Sequence, residues 1–196
     1  QLNPYLIEDA QDLNAVRNNL NANYKLVNDI DLGIAPYNEG SGWSPIGTFN
    51  GIFDGNMKTI KNLYINRSDT DKVSLFSQTN QNAIIKNISL ENVNITGKTY
   101  VGGLVGYFNN STILNSCVSG KVSGTGGYVG GITGYINGIV LIQNCYNKAN
   151  LSGANYVGGI SGRNYNVTIT KGIINCYSIG EVNCNSYSGG LVGASS

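Results

Sequence analysis

The sequence predicts an all-β chain: a right-handed parallel β-helix with a short α-helical cap at its N-terminal end. Three observations carry this. A heptapeptide first seen as Tyr100-Val101-Gly102-Gly103-Leu104-Val105-Gly106 returns at 128–134, 156–162 and 187–193, with its tyrosines 28, 28 and 31 residues apart. A fixed period in that range marks stacked identical units rather than one closed core. A second fragment recurs between the copies, as Asn115-Ser116-Cys117, Asn144-Cys145-Tyr146 and Asn175-Cys176-Tyr177, with Ile113, Ile142 and Ile173 two residues before each asparagine. The composition fits many tight corners: 27 glycines, 30 asparagines and only 12% charged residues in 196.

The elements follow in order. Residues 1–22 differ from the rest and form a capping segment. Ile7, Ala10, Leu13, Val16 and Leu20 make a stripe at nearly helical spacing, and Asp9 with Asp12 three residues on reads as an N-terminal cap. The spacing predicts a short helix over 9–20 that lids the open end of the stack. From residue 23 to 196 the chain reads as about six coils of roughly 28 residues. Leu26, Asp29 to Leu32 and Ile46 to Phe53 read as short strands, with a polar loop from Gly33 to Trp43. Strands follow at 59–65 and 84–90. Val73-Ser74-Leu75-Phe76 is a degenerate copy of the motif, 28 residues before Val101.

Each full period then holds three apolar patches: isoleucine near asparagine, Val122 or Leu151 or Val182, and the Val-Gly-Gly segment. Three short strands and three corners describe one β-helical turn. The three extra residues of the last interval fall around Asn164 to Lys171, as a surface bulge. Handedness follows the rule for parallel crossovers. Leucine-rich repeats fit less well, because Ile85-x-x-Ile88-x-Leu90 does not recur, and propeller blades need longer periods.

The motif pair resembles the GLUG repeat of bacterial surface proteins. Leu6 to Leu13, Asn23 to Leu32 and Trp43 to Asn56 are similar to the segment that precedes such repeats, so the resemblance covers nearly the whole chain. It implies a module of a large secreted or surface-anchored protein, such as an adhesin or an IgA-specific metallopeptidase whose chemistry lies in another domain. Ser188, where the motif's valine is lost, departs from the pattern.

A net charge of +1 with no basic stripe argues against nucleic acid, and no apolar run is long enough for membrane insertion. No signal peptide is read in these residues; Gln1 following a removed one and excision from a longer chain are the two expectations, and a stop just after a repeat is expected of an excised fragment. No histidine is present, and after Glu91 the only acid is Glu181. The repeat region therefore lacks the carboxylate pair of glycoside hydrolysis and any histidine base. A polysaccharide lyase is suggested by fold analogy alone. No enzyme activity and no cofactor are expected. Asp29 and Asp31, on one face of a strand near Asp54, are weak calcium candidates beside their reading as turn formers, and Asp69 with Asp71 are similar. Gly124-Thr125-Gly126-Gly127 lacks the third glycine of a phosphate loop.

Cys117, Cys145, Cys176 and Cys184 follow the repeat and are expected as reduced, buried thiols, with a single Cys145–Cys176 disulfide as the other reading. The tyrosines Tyr100, Tyr128, Tyr156 and Tyr187 are expected to stack outside successive coils at about 4.8 Å per step. Such a column is either a platform for sugar rings or a protein partner, or packing that stiffens the turn. Trp43 with Tyr37 is a second candidate patch. The expected role is a non-catalytic structural or adhesive module at the cell surface or outside the cell. Glycans, a surface protein or end-to-end self-association are the possible partners. A carbohydrate-binding module of a larger secreted enzyme and a filament subunit are the alternatives.

Overall fold

A computed structural model describes residues 3–166 and 172–195. The chain winds as a parallel β-solenoid of about six turns, with one short α-helix near its N-terminal end. Successive coils span 24–49, 52–79, 84–109, 112–137, 141–165 and 172–195. Their strands form a 16-stranded sheet and a 6-stranded sheet. Every pairing between strands in these sheets is parallel, so each coil is a template for the next.

Register explains the repeat. Ile85, Ile113, Ile142 and Ile173 stand in one column, and Ile95, Val122, Leu151 and Val182 in another. Val101, Val129 and Val157 form a third. Val73 bridges Val101 from below, so the degenerate copy is a true coil position. Ser188 stands above Val157 and is exposed, so a hydroxyl there is hydrated and costs little. The bulge expected around Asn164 to Lys171 falls largely on residues 167–171, outside the described residues.

The cap has a different geometry from the expected helix. Strand Tyr5–Ile7 pairs with Tyr24–Leu26, the helix is only Ala10–Ala15, and a 3-10 turn follows at Val16–Asn18. Asp9 caps it, accepting from the amides of Gln11 (2.8 Å) and Asp12 (2.9 Å). Asn18 and Asn19 are poor helix formers and end it early. Leu20 then leaves helical geometry to run beneath strand Ile46–Phe49, where its carbonyl accepts from Asn50 N at 2.9 Å. Ile7, Ala10, Leu13 and Val16 all face the core. The stripe was therefore legible, although its last residue belongs to a turn closed by Ala22 N on Asn19 O.

Corners are held by asparagine ladders. Asn115 Nδ2 donates to Asn87 Oδ1 (3.0 Å), Asn144 to Asn115 (3.1 Å) and Asn175 to Asn144 (3.4 Å). At the base Asn87 Nδ2 donates to Asp54 Oδ1 at 3.0 Å. A second ladder runs from Asn92 to Asn62 (2.7 Å) and from Asn62 to Asp31 (2.8 Å). These asparagines have φ between 48° and 58°, the left-handed region that asparagine tolerates best after glycine.

Both ladders end on a carboxylate with a pKa below the usual range. For Asp54, burial works against ionisation, but the Asn56 amide, Asn87, and Lys86 in a 3.2 Å ion pair outweigh it. For Asp31 the Asn62 amide is the main cause, followed by the Gly33 amide. A depressed native pKa gives stability that is present above the unfolded pKa and lost as pH falls through the native one. Thermal stability is expected to drop on acidification from about pH 5 to about pH 2. Asp54→Asn should make that drop shallower, and an unchanged pH profile in this variant contradicts the assignment.

A tyrosine ribbon as candidate functional site

The four repeat tyrosines stack as a column. Ring centroids are 5.3 Å apart for Tyr100–Tyr128, 5.1 Å for Tyr128–Tyr156 and 4.9 Å for Tyr156–Tyr187, with interplanar angles of 16°, 18° and 7°. The spacing is the rise of a coil. Simple alternation does not place them. Tyr100, Tyr128 and Tyr156 have φ of 58°, 64° and 55°, a strained corner for a bulky residue. The same strain in three successive coils is over-determined by the stack. Gly134 and Gly162 make this corner possible, since a Cβ there would meet the backbone of Tyr100 and Val101, or of Tyr128 and Val129.

A second column, missed in the sequence, lies beside the first. Tyr107 and Tyr135 stand in register and stack at 5.2 Å, and Tyr165 packs on Tyr135 at 6.4 Å. Tyr135 meets Tyr100 and Tyr128 edge-on, each at 5.3 Å. Arg163 continues the register of Tyr107 and Tyr135. Its guanidinium lies 5.7 Å from the Tyr128 ring and 5.5 Å from Tyr156, and Nη1 donates to Tyr128 Oη at 3.2 Å. At the other end Lys72 sits 5.1 Å from the Tyr107 ring. The signal for the second column was the tyrosine seven residues after each of the first two motif tyrosines, at 107 and 135, with Arg163 in the same place after the third.

This geometry decides what the ribbon presents. Between successive coils the ring faces are occupied by neighbouring rings, so edges and hydroxyls meet solvent at one step per coil. A sugar ring stacked on a tyrosine face therefore has no place between coils, and only the end rings, such as the exposed Tyr187, keep an outer face. Burial raises the pKa of Tyr100 and Tyr135, so their phenols are neutral at neutral pH. The surface is a row of hydrogen-bonding hydroxyls flanked by Arg163.

The other candidates are placed elsewhere. Trp43 is 1% exposed and part of the core. The loop before it folds over, with Tyr37 packed on the indole at 5.3 Å and Arg17 5.2 Å above it. The indole therefore belongs to packing and is not offered to a partner, which corrects the expected Trp43–Tyr37 patch. Asp29 accepts from Thr59 N, and Asp31 from Gly33 N and Asn62. Asp54 pairs with Lys86 at 3.2 Å. Among the described residues no three potential metal ligands cluster.

The cysteines are free thiols, but only Cys145 is buried. Cys117 does not share the column of Cys145 and Cys176. It stands between Ser89 and Tyr146, because coils four and five are offset by 29 residues there and regain 28 between Gly124 and Gly127. Contact with the Cys176 thiol, then burial, pushes the Cys145 pKa up. The same contact lowers Cys176 to about 7. A thiol reagent at neutral pH is expected to modify Cys176 well before Cys145, since the thiolate is the reactive form. Equal rates in the native protein contradict this.

No protein-family model matches the chain. Over 110 residues it is 41% identical to halomucin of Haloquadratum walsbyi, covering 53% of this chain and 1% of that protein. Over 113 residues it is 41% identical to a protein of Evansella cellulosilytica provisionally described as a Gly-rich membrane protein, covering 53% of this chain and 13% of that one. The chain thus spans a small fraction of these relatives. A crystal structure from Bacteroides ovatus, provisionally described as an immunoglobulin A1 protease, superposes over 93% of this chain and 77% of its own with a TM-score of 0.50. At 20% identity that likeness concerns the fold alone. No helix among the described residues is long and apolar enough to cross a membrane.

Proposed function

We propose that this chain is a GLUG-type, non-catalytic module of a cell-surface or secreted protein, which displays its tyrosine ribbon to a partner along a stiff solenoid. The observation that carries this is the ribbon itself: seven tyrosines in two interlocked columns, ending at Arg163. A soluble monomer seldom keeps so much aromatic surface in one strip without a use for it. Relatives named as a mucin and as a membrane protein support a surface setting. The absence of histidine and the engagement of the turn aspartates in hydrogen bonds favour a module without chemistry. A partner lying along the axis meets the same hydroxyl once per coil, so weak contacts add in register.

The test changes Tyr128 and Tyr156 to Ala together. Circular dichroism is expected to show an intact solenoid, and retention on cells or immobilised glycans is expected to fall at least about tenfold, the equivalent of 1.4 kcal/mol. A folded double variant that adheres like the parent leaves the tyrosines as packing only.

A further inference from the structure

A different side of the solenoid carries a notch that shares no residue with the ribbon. Thr59, Ser89, Cys117, Tyr146 and Tyr177 stand in one outward column. The column is small below and aromatic above, so it steps outward at Tyr146. The step opens a notch of about 330 Å³ lined by Ser89, Glu91, Asn92, Ser119, Tyr146 and Lys148. A second notch of about 220 Å³ joins it through Ser89, Glu91 and Tyr146. One face of Tyr146 stacks on Tyr177 at 5.1 Å and 5°. No ring stacks on its other face, because Cys117 fills the next position of the column.

Around that ring Ser119 Oγ donates to Leu90 O at 3.4 Å and Ser89 Oγ meets Cys117 Sγ at 3.1 Å, whereas the two charged groups are not paired with each other. Glu91 and Lys148 line the same notch yet form no ion pair, and the Lys148 ammonium lies 5.2 Å from the Tyr146 ring. The Asp31–Asn62–Asn92 ladder stops here. Gly120 pairs with Val93, so Ser119 occupies the rung above Asn92, and Asn92 Oδ1 receives no amide from coil four. The Asn87 ladder, in contrast, continues to Asn175.

We infer that this notch binds one neutral sugar unit of a glycan. An anionic ligand would meet the Glu91 carboxylate, and a cationic one the Lys148 ammonium. A polyhydroxylated ring both donates and accepts, so it satisfies Glu91, Asn92 Oδ1 and Lys148 together, with Tyr146 as an apolar wall. The volume is at the small end for ligand sites, the size of a single ring. The inference does not depend on the ribbon's role.

The experiment is saturation-transfer NMR on the full chain with glucose, galactose, mannose and N-acetylglucosamine, each alone. At least one is expected to bind with a Kd near 1 mM, ordinary for one shallow subsite. Glu91→Gln and Lys148→Gln, both at exposed positions, are each expected to weaken it at least about fivefold, and the Tyr128→Ala/Tyr156→Ala protein to bind like the parent. No saturable binding of any of the four up to about 50 mM overturns the inference. So does parental affinity in both notch variants, or loss only in the tyrosine variant, which would move the sugar to the ribbon. Saturable binding of glycine betaine, a zwitterion, with none of the sugars also overturns it.

Discussion

Replacing Gly131 with valine is expected to cost about 4 kcal/mol or more and to abolish folding of the central coils. Gly131 is the second glycine of the pair in coil four, where the chain reverses between the two sheets. A Cβ there would lie 2.5 Å from Asn147 Oδ1, with Asn147 Cγ and the Gly159 carbonyl nearer still. Asn147 cannot yield, because it is fully buried with its amide bonded to Ala149 O, Ala149 N and Ser178. Gly103 meets the same kind of wall, the Gly131 carbonyl at 2.5 Å and Val118 at 2.6 Å. Gly190 occupies the equivalent position in coil six, where an added Cβ meets nothing within 4 Å. Gly190→Ala should therefore change stability by less than about 0.5 kcal/mol. The contrast comes from denaturant melts of the two variants. Equal stability of Gly131→Val and the parent would falsify the close-approach account.

Phe76→Ala is expected to lose about 3–5 kcal/mol. Phe76 is fully buried, 5.0 Å from the Phe49 ring and 5.2 Å from Phe53, in the cluster that joins coils one and two. Because coils contact mainly their neighbours, the loss should fall on that junction and not spread evenly. The urea transition is then expected to broaden or split, with the N-terminal coils melting first. A single transition at the parental midpoint would contradict both the packing and the quasi-linear cooperativity.

The fold was legible because its cause is local and repeated. Alternation in Tyr24 to Leu26, the 28-residue phase of the valines and the isoleucine two places before each asparagine are properties of the chain alone. Asp9 as a cap was legible for the same reason. The column of Tyr100, Tyr128, Tyr156 and Tyr187 was predicted by spacing and is present. The cysteines misled. A 28-residue interval put Cys117 with Cys145, but the register at that corner is 29, and a one-residue slip moves a side chain to a different column.

Sequence alone determined the period, the coils, the Asp9 helix cap and the core columns, since these depend on residue type and on distance along the chain. Only the tertiary structure decided what each side chain meets above, below and outside. It turned corner asparagines into continuous amide ladders, spent the tyrosine faces on one another, folded a polar loop so that Trp43 became core, and left Tyr146 over a notch beside unpaired charges. Those outcomes depend on register between coils and on what covers a surface, and neither is written in the order of residues within a single coil.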